Sequence, residues 1–206
     1  MPIFCKFAGQ RQEASASCEM VIYKTQNMKT AYIFLTTGFE EIEALATIDL
    51  LRRGGVDLAS VSLEDSIKVT GGHGVEVAAD LVFEDVNFDT AQMLILPGGT
   101  VRIDAHEGLK AKILVHLASG RRVAAICAAP MVLGGLGLLQ GKKATCYPGF
   151  EGYLKGATLC TDQAVLTDGL ITTGKGPGLT FAFALELLKL LKGEEAARTV
   201  AGQILI

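Results

Sequence analysis

The chain of 206 residues has no tryptophan, five prolines and few aromatic side chains, 6% of the total. It also has little net charge, −3, and no basic run interleaved with aromatics. That excludes the footprint of a nucleic-acid binder, which gathers lysine and arginine on one face. Long hydrophobic runs are missing as well. Glycine, lysine or proline cuts each apolar stretch short of the roughly 20 residues a bilayer demands, so no membrane helix is expected. The five cysteines, Cys5, Cys18, Cys127, Cys146 and Cys160, show neither a CxxC pair nor a metal-ligand spacing. An odd, scattered set argues against a disulfide framework and for a reducing compartment, hence a cytoplasmic protein with no metal site. The opening residues lack the continuous apolar core of a signal peptide. Residues 1–28, polar and aperiodic, read as a poorly structured extension ahead of a single domain over 29–206.

Half of the residues are hydrophobic and a fifth are charged, an ordinary globular composition with enough apolar surface for a sizeable core. From residue 28 onward, strand-like and helix-like segments alternate. AYIFLT (31–36), VDLASVSL (56–63), QMLILP (92–97) and RVAAIC (122–127) are apolar strands. Helices are expected over 40–55, 105–119, 131–139, 176–193 and 194–202. The glycines at 71–74 mark a small β-excursion between 68–70 and 75–78. Asp168-Gly169 marks a hairpin inside AVLTDGLITT (164–173). Apolar strands interleaved with helices predict a mostly parallel sheet covered on both faces, a three-layer α/β sandwich. Ligands in such sheets bind beyond the C-terminal strand ends, which places Thr37-Gly38, Pro97-Gly98-Gly99 and Cys127 under suspicion.

Cys127 ends an apolar run and is flanked by Ala125, Ala128 and Ala129. Small residues at these offsets match a nucleophile elbow, G-x-S-x-G, with cysteine in place of serine. A cysteine there stands at a helix N-terminus, which favours thiolate and predicts a pKa below the usual ~8.5. The pattern alone is equally compatible with a buried core cysteine. In the helix over 40–55, Glu43 shares a stripe with Phe39, Ala46, Thr47 and Leu50. A carboxyl on that stripe has a raised pKa and, when protonated, donates a hydrogen bond to a thiolate; the alternative is a glutamate reaching solvent. Glu40 and Glu41 read as first-turn acids that complement the helix dipole. LPGG (96–99) ends its strand in two glycines, and Gly99 N–H with Ala128 N–H is a candidate oxyanion hole. TGKGPG (173–178) fails the phosphate-loop pattern, because Gly176 follows Lys175.

GFEEIEA (38–44), LPGG (96–99), AAICAAP (124–130) and GPGLTFAFAL (176–185) together resemble the ThiJ/PfpI superfamily in its parkinsonism-associated deglycase branch. The resemblance covers residues 28–206. It implies a flavodoxin-like, class I glutamine amidotransferase-like fold and a homodimer. It implies Cys127 at the reactive position, Glu43 as its hydrogen-bonding glutamate, and Gly99 and Ala128 as backbone donors. Activities implied are glyoxalase III-type conversion of small 2-oxoaldehydes, or removal of their early glycation adducts, without a cofactor. The alternatives it carries are oxidative-stress sensing through a cysteine sulfinate, chaperone action and, more remotely, peptidase chemistry.

One departure bears on the chemistry. Where relatives carry His-Pro, this chain reads Cys146-Tyr147-Pro148. A phenol with a reference pKa near ~10 is a poor general base at neutrality, so a Cys-His dyad is not expected there. Gly98, Tyr147, Cys146 and His73 are further pocket candidates, His73 through its rough alignment with a basic residue near the dimer's active site in relatives. His106 and His116 read as surface or packing residues.

Overall fold

The computed structural model describes residues 31–206; the extension expected over 1–28 lies outside the described residues. In chain order the first half comprises β1 (Ala31–Leu35), α1 (Glu41–Arg53), β2 (Leu58–Ser62), β3 (Lys68–Thr70), β4 (Glu76–Ala78), β5 (Leu81–Val82) and β6 (Met93–Leu96). There follow α2 (Glu107–Ala118), β7 (Arg122–Ile126), α3 (Pro130–Gly135), β8 (Lys143–Ala144) and β9 (Thr158–Leu159). The chain closes with β10 (Val165–Asp168), β11 (Ile171–Gly174), α4 (Thr180–Lys192) and α5 (Glu194–Gln203).

Seven strands form one sheet in the order β10-β11-β7-β6-β1-β2-β5. The β10–β11 hairpin is antiparallel and every other pair is parallel. Alternation along each central strand divides the core. Ile33, Leu35, Ile95, Ala124 and Ile126 pack with Leu50, Phe183 and Leu187 of α1 and α4. Tyr32, Phe34, Leu94, Leu96, Val123 and Ala125 face Leu109, Ile113, Val132 and Leu133 of α2 and α3. This is the mostly parallel, doubly covered flavodoxin-like α/β sandwich that the sequence predicts. The register Ile33↔Ile95↔Ala124 aligns the C-terminal ends of β1, β6 and β7. The three suspected loops therefore leave the sheet side by side.

Several boundaries differ from expectation. β7 stops at Ile126, and Cys127 adopts φ 66, outside the strand. α3 ends by residue 135 rather than 139, followed by Gly137 at φ 72. The helix expected from 176 starts as a 3-10 turn, Pro177–Leu179, before α4. β5 and the β8–β9 pair, two residues per strand, are too short to leave a periodic signal. Among the described residues, no helix is long and apolar enough to cross a membrane.

Candidate functional site

At Cys127 the chain turns sharply out of β7. A non-glycine residue at φ 66 costs on the order of 1–3 kcal/mol and persists where its surroundings over-determine it. Here both backbone groups are tied. Cys127 N–H donates to the Gly174 carbonyl at 2.9 Å, and the Cys127 carbonyl accepts Tyr147 N–H at 2.9 Å. The loop after β6 passes so close that a Cβ on Gly98 would lie 2.7 Å from Cys127 Cβ and 3.0 Å from Glu43 Oε2. Gly99 has φ 90, and a Cβ there would collide with Glu40 N and the carbonyl of Gly38. Both glycines of LPGG are thus required by close approach. Gly98, a pocket candidate from the sequence, lies against Cys127 and Glu43 and donates its N–H to Glu43, without being one of the residues that line the cavity.

Glu40 caps α1, its Oε2 accepting Glu43 N–H at 2.7 Å. One turn of helix then carries the Glu43 side chain inward, where it is 0% exposed. Its Oε2 accepts Gly98 N–H at 2.7 Å, while Oε1 is buried without a hydrogen-bond partner. Burial pushes the carboxyl up to about 7; the Gly98 bond and the Cys127 thiol pull weakly the other way. Cys127, 7% exposed, faces this carboxyl. The backbone N–H groups of Ala128 and Gly99 act on its sulfur and favour the thiolate.

The expected low thiol pKa is not what the surroundings give. Burial, then the charge of Glu43 and its hydrogen bond, push Cys127 up to about 12, against the two backbone donors. The helix that follows is a physical reason: α3 has six residues and begins three positions later, so its dipole is small and distant. Part of the upward push is the carboxylate's own charge and vanishes once Glu43 takes a proton. Cys127 and Glu43 therefore act as one proton-sharing pair.

A cavity of about 690 Å³ opens over this pair. Its lining combines the polar Glu40, Glu41 and His73 and the apolar Ile42, Val75, Tyr147, Phe150 and Pro177 with Gly99, Cys127 and Ala128. Tyr147 is 45% exposed. Cys146 is excluded: alternation along its segment turns it into the core shared with Val123 and Ala125. Burial and Glu151 push that thiol up to about 11.

Glu41, read from the sequence as a first-turn acid complementing the helix dipole, is buried. Its carboxylate accepts His73 N–H at 2.6 Å and meets His73 Nδ1 at 2.7 Å, pinning the β3–β4 turn against α1. Burial works against its charge, yet the His73 bonds hold Glu41 below the usual carboxylate range and raise His73. Glu40, Glu41 and His73 bring ligand-type atoms within 4.8 Å of one another, but internal hydrogen bonds account for that grouping. His106 caps α2 by accepting Leu109 N–H at 3.0 Å, and His116 is buried with Nε2 3.0 Å from the Arg122 carbonyl. Both are packing residues. The roles of Glu41, Ile42, Val75 and Phe150 left no sequence signal, because each depends on contacts between distant segments.

Residues 29–190 match the DJ-1/PfpI family. Protein DJ-1 homolog A of Arabidopsis thaliana is 40% identical over 187 residues, 86% of this chain and 47% of that protein. The chain spans about half the length of such curated relatives. Deglycase PfpI of Pyrococcus furiosus is 32% identical over 164 residues, covering 78% of this chain and 98% of the relative. The crystal structure of Drosophila melanogaster DJ-1beta superposes with a TM-score of 0.83 at 31% identity, covering 86% of this chain and 98% of that one.

Proposed function

The chain belongs to the DJ-1/PfpI family, and from that premise we propose that it converts small 2-oxoaldehydes, or their early glycation adducts, through a Cys127 nucleophile and a Glu43 proton shuttle. One observation carries the reading. A fully buried glutamate, one of whose oxygens has no hydrogen-bond partner, is coupled to a thiol on a strained turn, and the backbone N–H groups of Gly99 and Ala128 act on the same thiol.

In this reaction Cys127 Sγ attacks the aldehyde carbon while its proton passes to Glu43 carboxylate and on to the former aldehyde oxygen, giving a hemithioacetal and restoring the carboxylate. Gly99 and Ala128 N–H stabilise the developing alkoxide. Glu43 then moves the proton of the former aldehyde carbon to the neighbouring carbonyl carbon through an enediol, leaving a thioester. Water cleaves the thioester, releasing the 2-hydroxy acid and restoring the thiol. With a carboxyl pKa of about 7, both protonation states are present near neutrality, which suits a group that accepts and returns protons. A name such as Deglycase PfpI on a relative supports the substrate class.

Incubating the protein with methylglyoxal and following lactate tests this. Turnover is expected in wild type and lost in Cys127→Ser and Glu43→Gln; equal turnover in Cys127→Ser would sink the proposal. A second reading, sulfinate formation at Cys127 by peroxide, is favoured by the same donors, which match sulfinate oxygens. Mass analysis after mild peroxide separates it: oxidation of Cys146 or Cys160 ahead of Cys127 counts against it. Peptidase action lacks a Cys–His pair: among the described residues no hydrogen bond joins His73, held through Nδ1 by Glu41, to Cys127. Free cysteines at 127, 146 and 160 favour a reducing compartment. Exposed Ile42 and Val75 beside the cavity favour a second copy of the chain as partner.

A further inference from the structure

Glu40 sits one helical turn ahead of Glu43 and takes no part in the reaction written above. Its backbone and side chain are nevertheless committed to the same place. Its N–H donates to the Gly98 carbonyl at 3.0 Å, while the Gly98 N–H donates to Glu43 Oε2 at 2.7 Å. Residues 40 and 43 thus clasp Gly98 between them. The Glu40 carbonyl accepts Ala44 N–H at 3.1 Å, and its Oε2 accepts Glu43 N–H at 2.7 Å, closing the first turn of α1.

Serine or asparagine caps a helix without carrying a charge, so capping alone does not account for an acid here. The α1 dipole favours one at this end, and the same acid acts on Glu43. Glu40 is buried, and among the described residues it forms no ion pair. A carboxylate so placed repels a second negative charge nearby, more strongly in a buried site than in water. It works with burial to raise Glu43 to about 7, while the Gly98 N–H and the Cys127 thiol work against it. Other elements bring no compensating charge to Glu43. His73 of the β3–β4 turn is bonded to Glu41, and α4 presents Phe183 and Leu187 to the core beside α1.

We propose, on the reading of Cys127 and Glu43 given above, that Glu40 is their positioning residue. Its hydrogen bonds hold Glu43 against Gly98, and its charge keeps the proton on Glu43. All of these contacts lie within one copy of the chain.

Carboxyl 13C NMR of glutamate-labelled protein tests this, with the Glu43 signal identified by its loss in Glu43→Gln. Glu40→Gln keeps an acceptor oxygen for the cap and removes the charge. Its Glu43 midpoint should fall by about half a pH unit or more, with Tm within about 2 °C of wild type. Glu40→Asp retains the charge and should keep the wild-type midpoint. Glu40→Ser, a second neutral cap, should reproduce the fall and serves if Glu40→Gln does not fold. A midpoint that the neutral variants leave unchanged overturns the proposal and makes Glu40 a helix cap only. The acid limb of kcat/KM for methylglyoxal should move down with the midpoint. Absence of turnover in wild type sinks the reaction, and the titration still decides the role of Glu40.

Discussion

The two sides of the cavity are built to different standards. At the polar end, Cys127 and the Glu43–Gly98 pair beneath it are locked by hydrogen bonds of 2.7–2.9 Å, and Gly98 and Gly99 by approaches that tolerate no added methyl group. On the apolar side, Tyr147 has one backbone tie, half of its surface open and a hydroxyl without a partner. The contrast teaches where change is tolerated. The atoms proposed to react are over-determined, while Tyr147, at the position where the family resemblance implies histidine, is held by one backbone bond.

The largest break in this comparison is expected at Gly99. Gly99→Ala places a Cβ into Glu40 N at φ 90, which combines steric overlap with backbone strain. A loss of roughly 4 kcal/mol is expected, lowering Tm by about 10 °C in a thermal melt.

Next comes Glu43. Its carboxyl pKa rises from 4.5 to about 7 on folding. The folded state therefore binds the proton more tightly, and stability is lost as pH rises from about 4.5 through 7, on the order of 3 kcal/mol in all. Glu43→Gln cannot ionise. Its melting temperature should fall less than that of wild type between pH 5 and pH 8, and parallel curves would show that Glu43 titrates normally.

A smaller effect tests the elbow. Cys127→Gly removes the positive-φ strain and Cys127→Ala retains it, so the glycine variant should be more stable by about 1 kcal/mol in urea unfolding. The smallest effect belongs to the open wall. Tyr147→Phe should change stability by less than about 0.5 kcal/mol, because the lost hydroxyl bonds nothing described. A larger loss would mean that the wall is as tightly specified as the floor.

Much of this was legible in the sequence. Central strands announced themselves as apolar runs because the sheet is covered on both faces. Glu43 and Cys127 stood out because each broke a pattern, an acid on a core stripe and a thiol at a strand end. Sequence did not show Glu41 holding His73, a contact spanning 32 positions, nor that Cys146 turns away from the cavity. The thiol's pKa was misread from a local rule. A helix N-terminus was expected to govern it, and the short α3 leaves burial and the neighbouring carboxyl in control.

The hydrogen bond from Cys127 N–H to the Gly174 carbonyl also sets a schedule for the newborn chain. The turn is locked by a residue synthesised 47 positions later (174 minus 127). At typical translation rates of roughly 5–20 residues per second, several seconds separate the two. During that interval the Cys127 N–H lacks the Gly174 carbonyl that fixes the turn. The locked turn is complete only with the C-terminal hairpin, so a ribosome stalled before Gly174 carries Cys127 without the acceptor that holds its N–H.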